Sequence, residues 1–187
     1  LFVKESNIGG EFMSDDKKQK IHDIAKYRWK PNGKMQNFLS DDEIYNLTIP
    51  RGTLTPEERQ VINDHIVVTI NMLDELPYPK HLRNIPEFAG GHHEKLDGTG
   101  YPKGLTKNEM SVQARIMAIA DIFEALTARD RPYKKGKTLS QAMRILGFMK
   151  DDAHIDVDLF DIFVKKKIYM KYAKGFLEPE QIDEVSL

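Results

Sequence analysis

The stretch Gly90–Leu105 reads GGHHEKLDGTGYPKGL and sets two adjacent histidines, a glutamate and an aspartate just ahead of a Gly-Tyr-Pro loop. His92 and His93 are expected on a helix, which their side chains leave about 100° apart at ~3.6 residues per turn. Both then serve one site only if it holds more than one metal or wraps around the helix, which points to a multinuclear centre. Gly98, Gly100 and Gly104 give the following loop backbone freedom and Pro102 fixes a corner, a combination suited to close approach to a ligand.

Outward from this stretch the pattern is helical. Ser14 is placed to cap a helix with Asp15 and Asp16 in its first turn and Ile21, Ile24 and Ala25 on one face, ended by Pro31, Asn32 and Gly33. Ser40 with Glu43, and Thr55 with Glu58, have capping-box spacing, the second with Pro56 at the first helical position and a helix expected to about Leu76. Residues 79–94 read as one or two helices interrupted near Pro86. Ser111 caps VQARIMAIADIFEALT, apolar on nearly every face and expected to be the most buried helix. Helices over about 139–149, 158–176 and 178–185 complete the reading, with no convincing strand. The architecture expected is an all-α helical bundle with metal ligands from several helices. Residues 1–13 read as a linker or the tail of an upstream domain, and 14–187 as one helical domain.

Composition narrows the chemistry. Of 187 residues, 28 are basic and 29 acidic, a net charge of −1, so nothing favours non-specific binding to a nucleic-acid backbone. Cysteine is absent, which removes disulfides and thiolate metal sites, and no segment approaches the ~18 consecutive apolar residues of a membrane span. A cytoplasmic domain is expected, with any membrane anchor lying upstream of a chain that begins at Leu1.

Metal must therefore come through imidazole and carboxylate, a set that suits iron, manganese or zinc. His65 falls on a stripe with Ile62, Ile66, Thr69 and Leu73, so its ring is expected to point to the core, as a ligand or as a hydrogen-bonded core histidine. Asp121, between Ala120 and Ile122, would be costly to bury uncompensated; a cation, or a salt bridge to Arg115 or Lys95, would meet it. Glu124, one turn on, is a candidate supporting acid. Glu94 and Asp97 are read as orienting the imidazoles and pinning the loop, His81 as exposed, and His154 as a packing or capping residue.

Together, His92-His93-Glu94, Asp97-Gly98 and Gly100-Tyr101-Pro102 resemble the signature of the HD-GYP family, strongly from about Thr55 to Tyr133 and more weakly to about Leu177. The resemblance implies an all-helical, HD-superfamily, metal-dependent phosphodiesterase that opens the cyclic dinucleotide c-di-GMP to linear pGpG and on to GMP. It implies metal binding by His65, which follows the LTPEE segment Leu54–Glu58, by His92 and His93, and by Asp121 in an ADxxxALT context. His22, Asp23 and Lys26 in HDIAK look like the family's HDxxK element, in which the pair ligates metal and the lysine assists the phosphate. That element stands further from LTPEE than is usual, implying an insertion around Lys30 to Leu39, and a His-Asp pair on a solvated face is the alternative. Arg131 and Lys134 in RPYK resemble the segment that grips ligand phosphate, and Tyr101, Pro102 and Gly100 would face the substrate. The family implies a binuclear or trinuclear centre of iron, or alternatively manganese. Its further implications are a GGDEF-type protein partner at the Gly-Tyr-Pro loop and an upstream sensory domain. A catalytically weak or inactive c-di-GMP-binding module is the competing reading.

Overall fold

The computed structural model describes residues 2–8, 12–129 and 136–185. These form an all-α fold that divides into two compact units, residues 1–63 and 64–187. Among the described residues, no helix is long and apolar enough to cross a membrane.

In the first unit, helices α1 (Phe2–Ser6), α2 (Asp15–Ala25) and α3 (Asp41–Leu47) are followed by α4 (Pro56–Asn63). Its small core is Ile21, Leu39 and Leu47, against which Phe2, Val3, Ile24, Ala25 and Ile44 pack, so the face expected on α2 does turn inward. Both capping boxes form: Ser40 and Glu43 exchange side-chain and backbone hydrogen bonds, and so do Thr55 and Glu58, at 3.2 and 2.9 Å. One strand pair was not expected. Arg28–Trp29 (β1) pairs antiparallel with Gln36–Asn37 (β2), and Asn32 and Gly33 between them take positive φ of 53° and 80°. Asn-Gly is the dipeptide that most readily accepts two consecutive left-handed residues, so the hairpin signal lay within the segment read as a helix stop.

The second unit runs through α5 (His65–Asp74), α6 (Ile85–Gly90), α7 (Val112–Thr127), α8 (Leu139–Asp151), α9 (Val157–Lys165) and α10 (Ile168–Phe176). Its core joins Ile119 and Phe123 of α7, Leu139, Ala142, Met143 and Leu146 of α8, and Ile155, Phe160, Tyr169 and Ala173 beyond. Several expected boundaries move. The helix from Thr55 stops at Asn63, and a new one opens at His65. Pro86 lies in the first turn of α6 rather than interrupting a helix, because its missing N–H costs nothing there. The helix expected over 158–176 breaks at Lys167, which is left-handed with φ 51°, and only a short 3-10 turn, Pro179–Gln181, forms after Glu178.

The segment 112–127 is a helix capped by Ser111 as expected, but it is not buried all round. Ala114, Ala118, Ile119, Phe123 and Thr127 face inward, while Val112, Ile116 and Met117 are exposed. α8, with four side chains fully buried, is the better-enclosed helix.

Candidate metal centre

Three helices of the second unit, α5, α6 and α7, bring the site together, and small residues set their approach. A Cβ on Gly90, the last residue of α6, would lie 2.5 Å from Cγ1 of Ile70 on α5, and one on Gly91 would lie 2.8 Å from Cβ of Ala114 on α7. The same glycine pair ends α6. His92 and His93 therefore stand in the turn after the helix rather than on it, and the 100° separation expected of helical neighbours does not apply. Their ring centroids are 4.3 Å apart with planes 42° from parallel.

His65, at the start of α5, completes the group. Its ring centroid is 5.1 Å from that of His93 and 6.4 Å from that of His92, and one nitrogen from each of the three imidazoles lies within 4.8 Å of the others. Three imidazole nitrogens this close together could hold a metal ion. His65 is exposed, not turned into the core as its stripe suggested; Ile66 takes the buried position beside it. His92 Nδ1 lies 2.6 Å from the carbonyl oxygen of Ala89, so the neutral ring donates there and leaves Nε2 as its free donor atom. Burial pushes the His93 pKa down, and the nearby His92 and His65 push the same way against Asp121.

His92 and His93 line a cavity of about 370 Å³. Asp121 lines it together with His92 and His93, half-buried rather than sunk in the core, so the carboxylate faces the space shared by the imidazoles. Arg115, considered as its partner, instead pairs at 2.5 Å with Asp156. Glu124 is exposed. Ile122, Ala125, Leu126 and Ala128 supply an apolar side.

The Gly-Tyr-Pro loop is held from beneath. Glu94 is 1 % exposed, and its carboxylate accepts hydrogen bonds from the backbone N–H of Lys103 at 2.7 Å and of Leu105 at 2.9 Å. Asp97 accepts from the backbone and hydroxyl of Thr99. Both acids thus pin the loop as expected, while the hydrogen bond that orients His92 is the one its ring donates to the Ala89 carbonyl. Gly100 sits directly against the backbone of Glu94 and Lys95, where any Cβ would collide. Tyr101 returns its N–H to the His93 carbonyl at 3.2 Å and stacks its ring on that imidazole at 4.8 Å, with a cis bond to Pro102. Tyr101 therefore braces the centre and lines the cavity at once.

Three further cavity residues were not read from the sequence as lining a site: Lys95, considered only as a partner of Asp121, Lys137 and His154. His154 was expected to pack or cap. Burial pushes its pKa down, aided by the charge of Lys95 and opposed by Asp97 and Asp152. Lys95 alone carried a signal, its place in the ligand-dense stretch.

In the first unit, Asp23 of α2 accepts hydrogen bonds from Lys26 Nζ at 2.6 Å and from Gln19 at 3.2 Å. The Lys26 contact holds the Asp23 carboxyl below the usual range. His22, Asp23 and Lys26 are exposed, as a solvated helix face would be. His81 is exposed as expected, and Arg131 and Lys134 lie outside the described residues.

A family model for the HD domain matches residues 40–159, well over half of the chain and every residue of the imidazole group. The chain belongs to the HD domain family. With the GHHEKLDGTGYP stretch it is of the HD-GYP type, and the matched region begins after HDIAK. Similar curated proteins include a 3'3'-cGAMP-specific phosphodiesterase of Vibrio cholerae, 37% identical over 57% of this chain. A cyclic di-GMP phosphodiesterase of Thermotoga maritima is 41% identical over 50% of it. A probable cyclic di-GMP phosphodiesterase of Vibrio cholerae is 32% identical over 72% of it. The matched parts make up only 22%, 25% and 32% of those three proteins.

Proposed function

We propose that this HD domain is the hydrolytic part of a metal-dependent cyclic dinucleotide phosphodiesterase, with c-di-GMP as substrate and pGpG, then GMP, as products. The observation that carries the reading is the clustering of His65, His92 and His93, the last two of which line a cavity shared with Asp121 and two lysines. The names of the relatives support the cyclic dinucleotide class.

The donor set fits divalent metal: imidazole nitrogens, one already oriented through Ala89, and a facing carboxylate, in a chain without cysteine to supply a thiolate. Two metals are proposed, iron or alternatively manganese, held by His65, His92, His93 and Asp121. The HDIAK element would add His22 and Asp23 as ligands, with Lys26 as a phosphate partner, and Arg131 and Lys134 would complete the phosphate grip. Bound metal would supply Lewis acidity toward a phosphoryl oxygen and a water of lowered pKa. One water is consumed: its oxygen bonds to phosphorus, the bond to the departing ribose oxygen breaks, and that oxygen gains a proton. Tyr101 keeps His93 in place, and Ile122, Ala125 and Leu126 limit the water that reaches the reacting phosphate.

The test is turnover by the purified chain loaded anaerobically with Fe(II) or Mn(II), supplied separately with c-di-GMP and 3'3'-cGAMP. The expected result is metal-dependent pGpG formation, faster than opening of 3'3'-cGAMP. Metal and substrate binding without product overturns the enzyme reading, and faster opening of 3'3'-cGAMP reassigns the substrate.

A further inference from the structure

His92 and His93 of the histidine group line the cavity; Lys95, Lys137 and His154 also line it and take no part in that group. We propose that these three residues form a second anion-binding wall, which holds the non-reacting phosphate of a substrate carrying two. The inference rests on the phosphodiesterase reading above and adds what its metal centre does not provide.

Each of the three is rooted in hydrogen-bonded backbone. The Lys95 carbonyl accepts the Gly98 N–H at 2.9 Å, and its own N–H lies against Gly100, so its position follows that of the pinned loop. Lys137 donates its N–H to the Leu126 carbonyl at 2.9 Å and accepts at its own carbonyl from Gln181 Nε2 at 3.1 Å. His154 follows Ala153, which holds a left-handed φ of 53°, a conformation alanine rarely adopts unless its surroundings fix it. The His154 N–H donates to the Met149 carbonyl at 2.8 Å. Beyond it, Ile155 and Asp156 are each 1 % exposed, and Asp156 caps α9 while pairing with Arg115 and Lys107. His154 is thus clamped between an unusual turn and a buried ion-pair network, with its ring at the cavity.

The chemistry of the wall is that of an anion site. Two ammonium groups supply charge, and an imidazole favoured in its neutral form supplies one N–H donor without the cost of a third buried cation. Asp97, the carboxylate close enough to Lys95 to feel its charge, is already committed to the backbone and hydroxyl of Thr99. A ligand with one phosphate has that group drawn to the metal side and leaves these donors to water. A cyclic dinucleotide has two phosphates on opposite edges of one ring, so seating the first at the histidines turns the second toward the lysines.

The test compares c-di-GMP with cyclic GMP, which keeps the base and sugar but has one phosphate, on the metal-loaded chain and its Lys95→Met, Lys137→Met and His154→Gln variants. Apparent affinity is read as KM where turnover occurs and as Kd where it does not. Each substitution is expected to weaken c-di-GMP by about tenfold or more, the scale of one hydrogen bond to a charged group, and to change cyclic GMP by about twofold at most. Metal content should be unchanged, kcat should move less than KM, and Lys95→Arg should recover most of the affinity. Equal losses on both ligands, or no loss on either, overturn the proposal. A wild-type chain that binds c-di-GMP without opening it ends the hydrolase reading while the affinity ratios still decide the wall; a wild type that does not bind c-di-GMP ends both.

Discussion

The phenol ring of Tyr101 lies over the imidazole of His93, with centroids 4.8 Å apart and planes 20° from parallel. The loop tyrosine and a histidine of the imidazole cluster are therefore one packed unit, closed by the hydrogen bond from the Tyr101 N–H to the His93 carbonyl. Removing the ring should loosen the histidine as well as the substrate side. Tyr101→Ala is expected to cost about 1 kcal/mol of stacking and to weaken metal binding roughly fivefold, while Tyr101→Phe leaves it unchanged. Competition against a chromophoric chelator checks this, and equal affinities for both variants would count against the coupling.

The imidazole group makes a sharper demand. Replacing His92 and His93 together by alanine should lower metal affinity roughly 100-fold or more, because two of three clustered ring donors are lost. The far-UV circular dichroism should hold, since neither residue belongs to the core of the second unit. Metal analysis after gel filtration reads the outcome; full retention of metal contradicts the assignment.

Glu94 is a buried carboxylate accepting two backbone N–H groups. In Glu94→Gln one acceptor becomes a donor facing a donor, so the variant is expected to lose about 1–3 kcal/mol of stability. Urea denaturation measures it, and an unchanged midpoint would show that the loop is held by other means.

Acidification acts through His93 and His154, whose pKa values are both pushed down chiefly by burial. The unfolded chain, with histidines near the ordinary value of about 6.5, takes up these protons first. The stability they contribute is full above that value and is lost as the pH falls below it toward the folded values. The metal-free protein should accordingly unfold at lower urea concentration at pH 5.5 than at pH 7.5, and His154→Gln should flatten the difference. A wild-type midpoint that does not move between those pH values would remove the basis for this expectation.

Where a single side chain dictates local structure, the sequence could be read. Ser40, Thr55 and Ser111 each satisfy helix-start N–H groups, and each marks a helix where it was expected. Breaks fixed by wider packing were not readable. Lys167 sits in a run of three lysines with good helical propensity, yet its left-handed conformation separates α9 from α10. The site divides in the same way. His92, His93 and Asp121 stand out because their types and spacing are unusual, but His154 comes from a segment far along the chain and reaches the cavity through the packing of the second unit. The apolar letters of residues 112–127 likewise conceal that one face of α7 is open and that Asp121 lies at the edge of a cavity.

The boundary between Asn63 and Asp64 leaves the imidazole trio, the aspartate beside it and the glycine loop all on its C-terminal side. Fusion or recombination at that junction would transmit these four side chains and the loop as a single inheritable cassette, while His22, Asp23 and Lys26 would travel with the N-terminal part.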